Sequence, residues 1–430
     1  MDPGDYRRDY AAYRSAAEMA RYEHHAGLRP LNDPRPVEER YADLWTREAF
    51  GDLRRAHEET PAHYETERAG LRALAFAAAL KHAEAHAREV SEELRRCAES
   101  CAFEWDGSRV RGADAERLIG SETDAARRGE QARRWLDSAG ACEDLRAARL
   151  EALGEAARSL GFAGRRALYE EFTGASLEAL AASAAGFLRR TEGVYMSRLA
   201  GWAARELPAG HAPGYADRLF FERARGTEAR SAAHDFRALY AETLAGLGVR
   251  AGSQTNLRVD EENREGKSAD TACFAVDPPA DVRLVVGAGA GGLGFQRRGF
   301  SEGGRAQMFA WASRETARRH PEFVGAPDGA TALGHGLLLS GLFREPAWFG
   351  ARRGVRESEA SGSARAAALL DLCAARRECA GLTYALALEG AAESRSERLA
   401  EEYASLHADA TGFRHDAAAR MLDADEWFES

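Results

Sequence analysis

The segment from Gly299 to Trp311 holds the residues whose types and order come nearest to a catalytic motif. In the pattern H-E-x-x-H, two histidines one helical turn apart bind Zn²⁺, and the glutamate between them activates the metal-bound water as a general base. Ser301, Glu302 and Arg305 stand at the three corresponding positions. The segment therefore keeps the position of the base and loses both imidazole ligands.

Two other pairs of side chains have the spacing of metal ligands. His82 and His86 are four residues apart, as are Cys97 and Cys101, so each pair would share one helix face. Neither pair has the further ligands that a zinc site needs. We predict that the histidines lie on a solvated helix face and that the six cysteines are buried free thiols.

The glycine-rich run from Gly287 to Gly292 follows a predicted strand and formally matches the dinucleotide-binding pattern G-x-G-x-x-G. That pattern requires a helix that begins at once and further alternating strands and helices. Gly294 and Gly299 extend the glycine-rich segment, the next helix is expected to begin near Phe300, and no later strands are predicted. The sequence therefore does not favour nucleotide binding.

The elements that must position Glu302 are mainly helices. Apolar residues recur at helical spacing over 6–100, over 113–247 and from about 300 onwards. Alternating residues around Asp106-Gly107 predict a short hairpin over 103–110. Strand-like segments within 256–286 predict one small sheet directly before the helix that carries Glu302.

Several segments along the chain resemble one known family. In chain order, they are Trp105-Asp106-Gly107; Phe187-Leu188, Thr191-Glu192 and Tyr195; Asp260, Arg264, Lys267-Ser268 and Cys273; Pro279, Asp281-Val282, Leu284 and the pair Gly291-Gly292; and Asp328 to Leu342 with Pro346 and Trp348. Together with the degenerate motif at Glu302, they are similar to the thimet-oligopeptidase and oligoendopeptidase F family of zinc metallopeptidases. The match covers most of the chain, and its segments fall in the family's order.

The resemblance implies a mainly helical fold with two lobes around a channel and one small sheet beside the degenerate zinc helix. It places an N-terminal helical lobe at 1–195 and a catalytic-like lobe at 196–430. Within the second lobe, residues 328–343 resemble the helix of the third zinc ligand, with Leu333 at the ligand position. Gly291, Gly292, His335 and Tyr384 become the candidate peptide-binding residues.

The same resemblance implies that the catalytic groups are lost. Ser301, Arg305 and Leu333 would replace two imidazoles and a carboxylate, and an arginine offers no lone pair to a metal. The family's tyrosine and histidine donors to the oxyanion are expected beyond residue 430. We therefore expect no zinc cofactor, and we expect Arg305 to neutralise a buried Glu302, because a buried carboxylate without its metal needs another cation.

Composition and charge narrow the function further. The chain has 430 residues, and its 59 Lys and Arg against 69 Asp and Glu give a formal net charge of −10, which argues against nucleic acid and anionic membranes as partners. Neither a signal peptide nor a run of 18 apolar residues is evident, so a cytoplasmic location is expected.

The leading hypothesis is a catalytically inactive relative of the oligopeptidases that binds a peptide or a protein partner, with an active paralogous subunit as one candidate. Two alternatives stay open: an active metallopeptidase that uses ligands not recognised in the sequence, and a purely structural helical protein.

Overall fold

The computed structural model describes residues 2–30, 33–224, 236–287, 292–325, 329–391 and 395–423. In these ranges the chain is mainly helical with small sheets, as the sequence predicts. The helices are α1 (Pro3–His25), α2 (Arg35–Arg40), α3 (Arg47–Glu59), α4 (Glu65–His86), α5 (Arg88–Ser100), α6 (Gly112–Ser121), α7 (Ala125–Gly140), α8 (Glu143–Ser159), α9 (Arg165–Thr173), α10 (Leu177–Glu206), α11 (Tyr215–Arg223), α12 (Phe236–Gly246), α13 (Gly292–Ala310), α14 (Arg314–Arg319), α15 (Pro321–Val324), α16 (Ala330–Ser340), α17 (Pro346–Arg353), α18 (Glu357–Glu389) and α19 (Glu397–Thr411). The strands are β1 (Ala102–Trp105), β2 (Ser108–Arg111), β3 (Leu257–Asp260), β4 (Ala272–Asp277) and β5 (Asp281–Val285).

The chain divides into two compact units, each made of two stretches of sequence. Unit 1 comprises Met1–His82 and Gly226–Arg365, and unit 2 comprises Ala83–Arg225 and Ala366–Ser430. Two of the three changes of unit fall inside long helices, α4 and α18, and the third, at 225/226, lies outside the described residues. Residue 195, the boundary expected from the sequence, lies inside α10 and within unit 2. No helix in the described part of the chain is long and apolar enough to span a membrane.

The predicted hairpin is present in unit 2. β1 and β2 pair antiparallel, with Trp105 opposite Ser108. The two turn residues between them, Asp106 and Gly107, have φ angles of 48° and 76°. Positive φ at both central residues is the geometry that an Asp-Gly turn supplies between twisted antiparallel strands, so the dipeptide accounts for the turn.

The small sheet of unit 1 has the strand order β3-β5-β4. β3 runs parallel to the central strand β5, and β4 runs antiparallel to it. Val282, Leu284 and Val285 of β5 are completely buried, as a central strand with covered faces requires. β4 consequently lies at an edge of the sheet, with β5 as its only strand partner among the described residues.

The helix that carries Glu302 begins earlier than the sequence predicts. α13 starts at Gly292, not near Phe300, so Gly294 and Gly299 lie within the helix and not in a loop. Gly299 and Gly303 pack against the rings of Phe236 and Tyr240. These glycines serve close packing, which local propensity cannot reveal. α13 thus begins closer to β5 than expected, with residues 286–291 between them, of which 288–291 lie outside the described part.

α13 and α16 approach each other closely through glycines. A Cβ atom at Gly304 would overlap the carbonyl oxygen of His335, and a Cβ at Gly336 would lie 2.7 Å from Ser301 Oγ. Real Cβ atoms do not reach such distances, so both positions require glycine while the helices remain in contact. This crossing determines how α13 and α16 share the site described below.

The cysteines differ from the prediction of six free thiols. Cys97 and Cys142 form a disulfide with an S–S distance of 1.96 Å. Their Cα atoms are 5.9 Å apart although 45 residues separate them in sequence, so local spacing could not indicate the pair. Cys101, Cys273 and Cys373 are buried free thiols as expected, and Cys379 is half-buried.

We expect Gly304→Ala to destabilise the protein by about 2 kcal/mol or more, because the new methyl group must displace the backbone of α16. Gly334→Ala on α16 is the matched control, since a Cβ there meets nothing within 4 Å and alanine favours a helix. Thermal unfolding followed by circular dichroism measures both changes. Equal stability of the two variants would show that the helices do not cross as closely as described.

Candidate functional site

A cavity of about 490 Å³ lies within unit 1, where α1, β4, α13, α15 and α16 meet. Glu302 and Arg305 of α13 line it together with residues 271–275, which include most of β4. The wall formed by α1 contributes charged and imidazole side chains at positions 14, 18, 21, 24 and 25. The cavity therefore joins the degenerate motif to the edge strand of the sheet.

Glu302 is held by two donors. Arg305 Nη1 donates to both carboxylate oxygens at 3.1 Å, and the backbone N–H of Cys273 donates to Oε2 at 2.9 Å. Because Cys273 faces Glu302 from β4, the carboxylate occupies a hydrogen-bonding position of the sheet edge. Both carboxylate oxygens of Glu302 thus accept hydrogen bonds from protein donors.

The contact between Glu302 and Arg305 agrees with the pairing expected from their spacing on the helix, but the pair is less buried than expected. The side chain of Arg305 is 38% exposed and that of Glu302 is 16% exposed. Solvent therefore screens the ion pair. The pair neutralises charge at the cavity wall and contributes little to overall stability.

The nearby thiol of Cys273 offers no nucleophile. Burial, followed by the negative charge of Glu302, raises the pKa of this thiol well above its usual range. Since the thiolate is the reactive form, Cys273 remains a neutral, buried group at physiological pH.

Ser301 and Leu333, the other two positions expected to correspond to zinc ligands, do not line the cavity. Ser301 packs against the backbone of α16 at Gly336. Leu333, the expected third-ligand position, has 55% of its side chain exposed and is not among the residues that line the cavity. Thr331 and Ala332 of α16 line it instead.

A zinc ion of the kind expected for the family does not fit these residues. Ser301 and Thr331 offer neutral hydroxyls, and Arg305 offers a permanent cation already paired with Glu302. Zinc sites in proteins use thiolate, imidazole or carboxylate donors. Glu302 is the one such donor among the motif positions, which leaves the ligand set incomplete.

The candidate peptide-binding residues do not form one group. Gly291 lies outside the described residues, and Gly292 is buried at the start of α13 with a φ of 93°. His335 is exposed on α16. Tyr384 belongs to the core of unit 2, where burial raises the pKa of its phenol to about 12. None of the described ones lines the cavity beside Glu302.

Sequence reasoning missed the basic wall that α1 contributes. Arg14, Glu18, Arg21 and His25 follow one another at intervals of four, three and four residues, which places them on one helix face. Glu18 and Arg21 form an ion pair at 2.7 Å, and burial lowers the pKa of His25. The helical spacing of these polar residues was the feature of the sequence that could have revealed this wall.

Arg14 differs from the other charged residues of this wall. It is half-buried, its guanidinium lies 6.0 Å from the ring centre of Tyr10, and it packs so closely on Gly325 that a Cβ there would overlap it. Among the described residues, no carboxylate forms an ion pair with Arg14. A guanidinium in this state is suited to an anionic group of a ligand.

Comparisons with known proteins agree with the fold. A structure of Pz peptidase A with an inhibitor matches with a TM-score of 0.65 and 12% identity over 97% of this chain and 76% of that chain. A structure described as an oligoendopeptidase F matches with a TM-score of 0.61 and 14% identity over 98% and 76%. This chain has the fold of these metallopeptidases. No protein-family model and no curated protein matches it in sequence.

At these identities the likeness establishes the fold alone. It confirms the mainly helical, oligopeptidase-like architecture expected from the sequence. The roles of Glu302, Ser301, Arg305 and Leu333 stay predictions.

We expect Arg305→Ala to lower the free energy of unfolding by about 1 kcal/mol, because the guanidinium is partly hydrated. A double-mutant cycle with Glu302→Gln should give a coupling energy of about 0.5 to 1 kcal/mol. Denaturant unfolding measures all four proteins of the cycle. Arg8→Ala, which removes an exposed ion pair with Asp5 on α1, is the control. If Arg305→Ala lowered the free energy of unfolding by about 3 kcal/mol or more, the pair of Glu302 and Arg305 would have to be shielded from water.

Proposed function

We propose that this chain is a non-hydrolysing relative of the oligopeptidases and that its unit 1 cavity binds peptides through an acidic group. The observation that carries the proposal is the pairing of Glu302 with Arg305, since the position of a catalytic base holds a carboxylate already bound to a cation. The oligopeptidase-like fold supports the binding of a peptide, and the charged residues of the cavity support an acidic group as its point of attachment.

The residue types around Glu302 argue against amide hydrolysis. In a zinc peptidase the metal lowers the pKa of its bound water to about 7 and polarises the scissile carbonyl. Ser301, Arg305 and Thr331 supply none of the donors that hold such an ion. Glu302 alone cannot activate an ordinary water molecule while Arg305 and Cys273 occupy its oxygens.

The charges of the cavity favour an anionic ligand. Glu18 pairs with Arg21, and Glu302 pairs with Arg305, which leaves Arg14 as the cation without a carboxylate partner in the described part of the chain. A carboxylate of a peptide can form two parallel hydrogen bonds with a guanidinium. Arg14 is therefore the proposed anchor for an aspartate or glutamate side chain or a C-terminal carboxylate.

The edge strand supplies a second element of recognition. β4 lines the cavity, and β5 is its only strand partner among the described residues, although the N–H of Cys273 already donates to Glu302. Extended peptides bind such edges by adding a strand through backbone hydrogen bonds. An acidic residue at one end of the peptide would then determine its register along β4.

Binding is tested with two fluorescent peptides that differ only in a glutamate and a glutamine. We expect the glutamate peptide to bind at least 10-fold more tightly, and Arg14→Gln to abolish this difference, as for loss of a charged hydrogen bond. Arg8→Gln on the same helix should change nothing, because Arg8 is exposed and does not line the cavity. Fluorescence anisotropy gives the dissociation constants, and equal affinity for the two peptides would refute the role of Arg14.

Hydrolysis is tested in parallel with fluorogenic peptides in the presence of added Zn²⁺. We expect no turnover above that of a buffer control. Turnover that disappears in Glu302→Gln would establish the alternative, an active metallopeptidase, and would refute the non-hydrolysing function.

A further inference from the structure

A second group of chemically capable side chains lies in unit 2, near the end of α19. His407 is completely buried, His415 is 8% exposed, and Asp423 is half-buried. One potential ligand atom from each of the three lies within 4.8 Å of the other two. None of these residues belongs to the cavity that contains Glu302.

The turn after α19 brings the group together. α19 ends at Thr411, and Gly412 follows with a φ of 71° and donates its N–H to the carbonyl oxygen of Ala408. This left-handed residue reverses the chain. His415 consequently packs against His407, with 4.9 Å between the ring centres. A short 3₁₀ turn, Ala417–Ala419, then leads towards Asp423.

Tyr403 orients the carboxylate of the group. Its hydroxyl donates to Asp423 Oδ2 at 2.5 Å and lies 3.4 Å from His415 Nδ1. It stands one helical turn before His407 on α19. Hydrogen bonds of this kind hold metal-binding carboxylates in place in known sites, and the second oxygen of Asp423 remains available.

The local charges allow a cation. His407 and His415 are both buried, and a neutral imidazole retains the lone pair that binds a metal. Arg218 and Arg377 also face the group, and they pair with Glu222 at 2.8 Å and Glu378 at 3.3 Å. Asp423 supplies the negative charge beside His407.

We propose that His407, His415 and Asp423 bind a divalent cation of the zinc class and that the bound ion attaches the segment 412–423 to α19. Two imidazoles and a carboxylate are donors that such ions prefer. Donors on one tetrahedral ion at about 2.0 Å lie about 3.3 Å apart, so ligand atoms now within 4.8 Å of one another need to approach by about 1.5 Å at most. The three donors leave a fourth tetrahedral position for a further ligand such as water.

Co²⁺ is the probe, since its visible absorption reports the geometry and type of its ligands. Full-length protein is titrated without reductant, both directly and after refolding in the presence of Co²⁺. We expect one equivalent to bind with the absorption of a nitrogen and oxygen site, Zn²⁺ to displace it, and the melting temperature to rise with metal.

His415→Gln and Asp423→Asn should each weaken binding at least 100-fold and abolish the metal-dependent rise in melting temperature. His86→Gln is the matched control, because His86 is an exposed histidine of unit 2 outside the group. Far-ultraviolet circular dichroism without metal verifies that each variant folds, and Asp423→Asn keeps the size of the side chain.

Three outcomes would overturn the site: no binding under either loading condition, binding that both variants retain, or a sulfur-to-cobalt charge-transfer band. The last would assign the metal to the group Cys97, Cys101 and Cys142, whose sulfur atoms are also close together. The peptide assays of unit 1 are independent of all three.

Discussion

The close approach of α13 and α16 is the constraint on which the cavity of unit 1 depends. At Gly304 and Gly336 the helices come nearer than any side chain would permit. Because of this crossing, Glu302 and Arg305 on α13 share one cavity with the start of α16. Gly303 and Gly304, which follow Glu302 on α13, therefore have a packing role that does not depend on catalysis.

Within that framework, the surroundings of Glu302 determine what its carboxylate can do. A general base needs a lone pair directed at the proton it removes. Arg305 and the N–H of Cys273 both donate to this carboxylate. Among the described residues that line the cavity, Arg14 is an arginine without a carboxylate partner, and the proposed binding of an acidic peptide rests on it.

Unit 2 depends on contacts of another kind. The Cys97–Cys142 disulfide joins α5 to the beginning of α8, and the group around His407 connects α19 to the segment that follows it. Both link stretches of chain whose local sequence gives no sign of the partner.

The sequence by itself determined the helical content, the Asp106-Gly107 turn and the pairing of Glu302 with Arg305, because each depends on residues close together along the chain. Only the tertiary structure decided that Thr331 and not Leu333 lines the cavity and that α1 supplies its basic wall. It also decided where α13 begins. These features arise from contacts between distant segments, where packing overrides local propensity and where glycines that signal a loop in sequence make room for a neighbouring helix.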